Sequence, residues 1–482
     1  MRNFKEIIPV REFSKKLYYK TIDSTIGVEF IIDLAMSQEK LKLTTGSVLK
    51  TIIHFSLPFL VSYFLQVFYG MADLFIIGQF KGIDSTTAVS IGSQVLYMFT
   101  VIILGLTMGA TVLIGKAVGA QNNQQISKII GNTVTIFSLI SLLMTGILFI
   151  FTPQIASIMS TPKEAIIQTI RYLRICFLGI PFITAYNLIS AIFRGLGDSK
   201  SPMYFILIAC IANIILDYIF IGIIGFDASG AALGTIISQG ISVLVSLSII
   251  FNDKTKIKFS IEYLKLDKKI VSELMNIGFP VALQNWLIQI AFIVITIIAN
   301  TRGIYDAAAV GVVEKIMGIL FIIPQTMLAV VPVLTAQNIG AGKFKRAKLT
   351  LFYSSIISIC WGVIVAICIQ FIAPDVVGLF IKNTRTIQLG TQYIKAYVLD
   401  CIFAGIHFCL SGYFCAYGLS IVSFIHNFIS IVCVRIPIAY FASTHFTNSL
   451  YPMGLASPIG SLLSVCICVS VFYWLDKYYQ TN

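Results

Sequence analysis

Residues 54–81 read HFSLPFLVSYFLQVFYGMADLFIIGQFK. The stretch is long and apolar enough to cross a bilayer, for which roughly 20 apolar residues suffice. It nevertheless carries Pro58 near its start and Asp73 deep inside. An ionisable side chain at that depth is costly unless it is paired, and by default it marks a functional site. Asp73 is therefore either a structural acid satisfied by neighbouring hydroxyls or part of a site, and the rest of the chain must supply its partners.

The surrounding sequence sets the class. Of 482 residues, 57% are hydrophobic and only 11% are charged. The mean hydropathy is +0.90. A soluble core does not become this apolar, so the chain reads as an all-α polytopic membrane protein. Twelve spans are predicted, near 48–78, 86–116, 128–152, 165–191, 202–224, 229–251, 271–300, 306–338, 347–372, 387–413, 418–441 and 454–476. The net charge of +13 belongs to topology rather than to nucleic acid, which is not expected as a partner.

Lys and Arg gather in alternate connections: 116–128, 194–200, 254–269 and 343–348. The other connections hold only Lys81, Lys163, Arg302, Lys382 and Arg385. The positive-inside rule then places both termini in the cytoplasm of a multi-pass plasma (inner) membrane protein. The charged 253–270 segment reads as a cytoplasmic linker between an N-lobe, 48–252, and a C-lobe, 271–482, with 1–47 as a cytoplasmic extension. Residues 1–35 lack a signal-peptide core and precede a second methionine, Met36; they are expected to be dispensable and poorly ordered.

An internal repeat supports the division. Ala88 and Val89 are followed 31 residues later by Gly119 and Ala120, and Ala309 and Val310 are followed 31 later by Gly340 and Ala341. The displacement of 221 also relates Tyr172 to Tyr393 and Gly197 to Gly418. Pro58 meets Pro280 at 222. Six spans per repeat give the halves one orientation, so two pseudo-symmetric six-helix bundles enclose a substrate path between them.

Partners for Asp73 appear in the same half. Asn213 and Asp217 are spaced i and i+4 on the fifth predicted span, hence on one helix face. Thr235 opens the sixth. At 1.5 Å per residue, Asp73 and Asp217 lie about 10 Å below the outer loops and Thr235 about 9 Å. Two carboxylates, an amide and a hydroxyl thus reach one depth, a set of oxygen ligands suited to H⁺ or Na⁺. The alternative is a set of unrelated interhelical hydrogen bonds. Two adjacent carboxylates in low dielectric cannot both ionise cheaply, so the pair would exchange a proton or Na⁺ as a unit. Pro58 removes a backbone hydrogen bond and allows the first helix to bend as the cation is exchanged.

No other chemistry is apparent. The ten cysteines sit in apolar segments without metal-ligand spacing, and there is no nucleotide fingerprint. No cofactor, no metal beyond Na⁺ at the four ligands, and no enzymatic activity are expected.

The duplicated twelve-span chain, the opening LTTGSVLKTIIHFSLP, FYGMADLFIIGQF, RGLGDSKSP and NIILDYIFIG resemble the multidrug and toxic compound extrusion (MATE) family, over residues 40–480. The likeness is greatest to its prokaryotic DinF-like branch. It implies a V-shaped pair of bundles and export of cationic or amphipathic small molecules against inward H⁺ or Na⁺ by alternating access, by a monomer among membrane lipids. By the same likeness Asp73, Asn213, Asp217 and Thr235 match the coupling site and Pro58 the bending proline. Tyr69, Tyr172 and Asn187 fall at cavity positions. Gln284 stands in the seventh span, where the family's NorM-like branch has an acid. Asp400 in the tenth is a candidate for substrate contact or a second ion site. Glu314 and Lys315 could line the cavity or pair between lobes, and Arg435 has no assigned role. Phe64, Phe68, Met71, Met317 and Met327 are read as an adaptable drug surface or as lipid-facing and core packing. A flippase of lipid-linked saccharide is the competing reading, though its pyrophosphate would call for cavity cations rather than paired acids.

Overall fold

The computed structural model describes residues 42–252 and 261–481. The proposed dispensable segment 1–35 and residues 253–260 of the charged linker lie outside the described residues. Ten helices are long and apolar enough to cross a membrane, and twelve spans result when two bent pairs are each counted as one. Spans 1 to 3 are Val48–Phe80, Ile83–Gly119 and Asn123–Ile150. Span 4 joins Ile166–Leu178 to Ile180–Gly195; span 5 is Lys200–Ile223 and span 6 is Ala228–Asn252. Span 7 is Lys268–Thr301, span 8 joins Ile304–Leu320 to Ile322–Gly340, and span 9 is Phe344–Gly378. Span 10 joins Thr384–Tyr397 to Asp400–Tyr417; span 11 is Ser420–His445 and span 12 is Tyr451–Leu475.

Each bundle has its own core. Ile77, Ala88, Val89, Tyr172, Leu173, Phe177, Ala231 and Ala232 pack together in the first. Val310, Val313, Met317, Ile369, Tyr393, Ile394 and Met453 do so in the second. Pseudo-symmetry extends to irregularities. Span 4 bends by 48° after Leu178 and span 10 by 40° after Tyr397. Span 5 ends in a π-helical turn, Tyr218–Ile223, and span 11 contains another, Ser430–Arg435. Wide turns of this kind recur at functional sites, because they re-aim side chains within an otherwise regular helix.

The bundles meet at the end where basic residues concentrate. A Cβ on Gly105 would strike the Ala282 backbone, one on Gly109 the Leu274 carbonyl and one on Gly278 the Leu106 carbonyl. Further along, Gly119 abuts the Gln337 carbonyl and Gly340 the Lys116 carbonyl. These glycines let spans 2, 7 and 8 approach backbone to backbone, the small-residue packing that membrane helices use where no hydrophobic force separates helix from lipid. The RGLGDSKSP turn belongs to this seam. Asp198 caps span 5, accepting from the Ser201 amide at 3.0 Å, and Gly197 has φ +90°. Gln337 Nε2 of the other bundle donates to the Gly195 carbonyl at 2.9 Å.

Residues 42–47, the end of the expected cytoplasmic extension, are strapped across the same seam. Leu43 is buried among Ile52, Phe55, Val330 and Leu334. Arg346 donates to the carbonyls of Gly46 at 2.5 Å and Thr45 at 2.8 Å, and Lys343 donates to that of Thr44 at 2.8 Å. The strap uses arginine's fork to satisfy successive carbonyls that no helix pairs. Helix 1 runs without interruption through Pro58.

Gly278→Val should cost about 1–3 kcal/mol, since its Cβ has only backbone to displace. Thermal unfolding in detergent would register it as a lower midpoint, while the same change at Gly311, which has nothing within 4 Å, should not.

Candidate functional site

The four predicted ligands converge. Asp73 is 4% exposed and Asn213 and Asp217 are fully buried, all between spans 1, 5 and 6. Asn213 and Asp217 stand one turn apart on span 5, and the π-helical turn begins immediately after Asp217. Thr235 Oγ1 donates to Asp73 Oδ2 at 3.5 Å. The side chains of Asp217 and Asn213 face the Asp73 carboxyl within interaction range, but neither contact has hydrogen-bond geometry. As a result Asp73 Oδ1, both Asp217 oxygens and both polar atoms of Asn213 are buried without a hydrogen-bond partner among the described residues.

Buried polar atoms left without partners are costly, and here five of them, from two carboxylates and an amide, gather in one cluster. Its make-up is informative. Two carboxylates, an amide oxygen and a hydroxyl present hard oxygen donors, which suit a proton or a small monovalent cation and not a soft metal. Glycine makes room for it, since a Cβ on Gly234 would collide with Asp217 Oδ1.

The other predicted residues divide. Tyr69, half-buried and one turn before Asp73, lies beside Thr235 and both acids. Tyr172 is also near Asp73. However, it is only 1% exposed and its ring packs on Gly92, so it backs the acids from within the core rather than lining a cavity wall. Asn187 is buried and donates to its own helix at Ile183 O, 2.8 Å away, which makes it a satisfied packing residue. Gln284 is buried beside the seam with its Oε1 lacking a hydrogen-bond partner among the described residues, and neighbouring Asn285 reaches Val101 O at 3.3 Å. Met317 and Met327 are core residues, whereas Phe64, Phe68 and Met71 are exposed along span 1.

Asp400 is buried and pairs with Arg435 at 3.7 Å, with its Oδ1 lacking a hydrogen-bond partner among the described residues. Arg435 donates through Nε to Ser457 Oγ at 2.7 Å and through Nη2 to Tyr397 at 3.3 Å, and stands over the Phe292 ring at 5.2 Å. Tyr393 and Tyr397 donate to Glu314 at 3.4 and 3.3 Å. Glu314 therefore finds its partners within its own lobe rather than across the seam, and Lys315 is exposed. This network escaped the sequence because its members are scattered over five spans. The available signal was three ionisable groups, Glu314, Asp400 and Arg435, in one otherwise apolar half. His407 and His426 form a second buried pair there, with ring centroids 5.4 Å apart and His426 Nε2 2.8 Å from Ser411 Oγ.

Asp217→Asn should raise stability by about 1 kcal/mol, since it replaces one of two facing carboxylates by an amide that can donate. A higher thermal midpoint at neutral pH is expected, and a lower one would indicate that the carboxylates are satisfied separately. Gly234→Ala should lower the midpoint.

Comparison with known proteins agrees with this architecture. The MatE family model matches residues 58–219 and again 280–441, once per lobe. The probable multidrug resistance protein YoeA of Bacillus subtilis (strain 168) is 27% identical over 451 residues, covering 92% of this chain and 97% of the relative. The multidrug export protein MepA of Staphylococcus haemolyticus (strain JCSC1435) is 28% identical over 445 residues, covering 89% and 93%. In fold, the chain superposes with a TM-score of 0.85 on a structure described as the outward-facing conformation of a multidrug resistance MATE family transporter. Identity there is 20%, with 92% of this chain and 99% of the other covered. A duplicated twelve-span bundle matched by the family model in both halves belongs to the MatE family of multi-pass membrane transporters, the MATE transporters.

Proposed function

We propose that the protein exports cationic or amphipathic small molecules across the plasma membrane in exchange for inward H⁺ or Na⁺, by alternating access. One observation carries the reading: the buried, partnerless oxygen cluster of Asp73, Asn213 and Asp217 in the first lobe. What sets this cluster apart is that two carboxylates and an amide, with five partnerless atoms among the described residues, face one another at one depth, which suits a visiting cation. Relatives called multidrug export and multidrug resistance proteins supply the class of cargo.

The mechanism follows from which groups share the cluster. With no cation present, the two carboxylates repel in a low dielectric, with Thr235 as their one hydrogen-bond donor among the described residues. A proton or Na⁺ bound between them removes that repulsion and lets Asn213 and Thr235 complete the set. Asp73 sits on span 1, which also carries the exposed Phe64, Phe68 and Met71, and Tyr69 of the same span lies beside both acids. Cation uptake thus changes charge and packing on the element that offers cargo an apolar surface. A cationic cargo would be held while the acids are charged and released when they are neutralised. The seam of glycines is closed at the basic end, which the positive-inside rule makes cytoplasmic, so this conformation accepts the coupling ion from outside.

In everted vesicles, an imposed H⁺ or Na⁺ gradient should drive uptake of an ethidium-like cation. Asp73→Asn should reduce that uptake to the background of vesicles lacking the protein. Gradient-driven uptake that survives the substitution would remove Asp73 from the coupling.

A further inference from the structure

The family match begins at 58 and 280 and ends at 219 and 441, a displacement of 222 residues at both ends. At this displacement Arg435 takes the place of Asn213. Carried forward into the last span of each lobe, it puts Ser457 in the place of Thr235. Span 6 begins at Ala228 and span 12 at Tyr451, a displacement of 223 that is one residue off this register. The same helix pairs pack in both lobes, span 5 against span 6 and span 11 against span 12. The hydroxyl and amide positions of the first lobe's cluster are thus duplicated in the second as a hydroxyl and a guanidinium in contact, Ser457 Oγ and Arg435 Nε at 2.7 Å.

The surroundings of the guanidinium are those of a bound cation. Asp400 pairs with it at 3.7 Å, Tyr397 accepts from it, and Phe292 presents its ring face. Glu314 joins through the shared hydroxyl of Tyr397. Asp400 Oδ1 remains buried with no hydrogen-bond partner among the described residues. Arg435 cannot leave, because it is covalently tethered, and it keeps its charge at any physiological pH.

We propose that the second lobe holds a cation site at the places of Asn213 and Thr235, with Ile295 and Ala439 at the places of the first lobe's acids and Glu314 and Asp400 supplying carboxylates from other positions; the Arg435 guanidinium fills it permanently, and removing this side chain opens it to a proton or Na⁺ between Glu314 and Asp400. The inference rests on the reading of the first lobe as an exchange site. It explains why the lobes differ in charge while sharing bends and π-helical turns: coupling is confined to one lobe because the other carries its own cation. The resident charge also excludes a free cation from the second site by electrostatic repulsion at short range.

The test uses the purified full chain, with radiolabelled Na⁺ binding and proton uptake as readouts. Asp73→Asn with Asp217→Asn should show no saturable uptake of either ion while Arg435 is intact. Adding Arg435→Asn should restore saturable uptake, and adding Asp400→Asn with Glu314→Gln should abolish it again. The proposal is overturned if a folded Arg435→Asn chain gains nothing, or if the Asp73→Asn, Asp217→Asn chain retains uptake that Asp400→Asn removes. Should Arg435→Asn fail to fold, that second comparison still decides, because it leaves the guanidinium in place. Loss of the first-lobe reading would look different, as uptake by the unmodified chain that is indifferent to Asp73→Asn.

Discussion

Two carboxylates facing one another inside an apolar bundle impose the constraint on which this fold depends. Asp73 and Asp217 are held at one depth by helices that are otherwise apolar, and among the described residues the only hydrogen bond the pair receives is that of Thr235. A soluble protein could hydrate such a pair. Within a bilayer the acids must be neutralised by something that arrives, or remain as a store of unfavourable energy. Here the geometry leaves the oxygens unpartnered, with glycine at 234 keeping the approach to Asp217 clear.

The same principle, applied in the second lobe, gives the opposite arrangement. Glu314 and Asp400 are also acids in an apolar bundle, but Arg435, two tyrosines and Ser457 surround them. The two lobes thus realise two solutions to intramembrane charge, one open to exchange and one closed by a tethered cation. A third feature, the seam at the basic end, joins the two lobes. There the contacts are backbone against backbone through glycine, and a polar strap of carbonyls spans the junction on Arg346 and Lys343. Such contacts are directional and made or broken together, which suits a hinge with discrete states better than a continuously deformable one.

Much of this was legible in the sequence. Span number, the duplicated halves and the convergence of Asp73, Asn213, Asp217 and Thr235 follow from hydropathy, displacement and helical rise, since depth in a membrane is close to a linear function of residue number. What depth does not reveal is rotation. Tyr172 and Gln284 lie on the expected spans but turn inward to the core and to the seam, because Gly92 and the glycines of span 2 leave room there. Arg435 was unassigned for a related reason: its partner Asp400 is brought opposite by the bend of span 10, which no local pattern announces. The burial of Leu43 was missed because one leucine among polar residues carries no periodicity.

The central claim is that a small cation and cargo compete for the charge state of the first lobe's acids. By linkage, such competition must appear in binding as well as in transport. The most direct measurement is the affinity of the purified protein for a fluorescent cationic substrate, titrated against falling pH and against rising Na⁺ at constant ionic strength. The account predicts that at least one of the two weakens substrate binding and that Asp217→Asn abolishes this dependence. Substrate affinity indifferent to both ions, or a dependence that persists unchanged in Asp217→Asn, would contradict it.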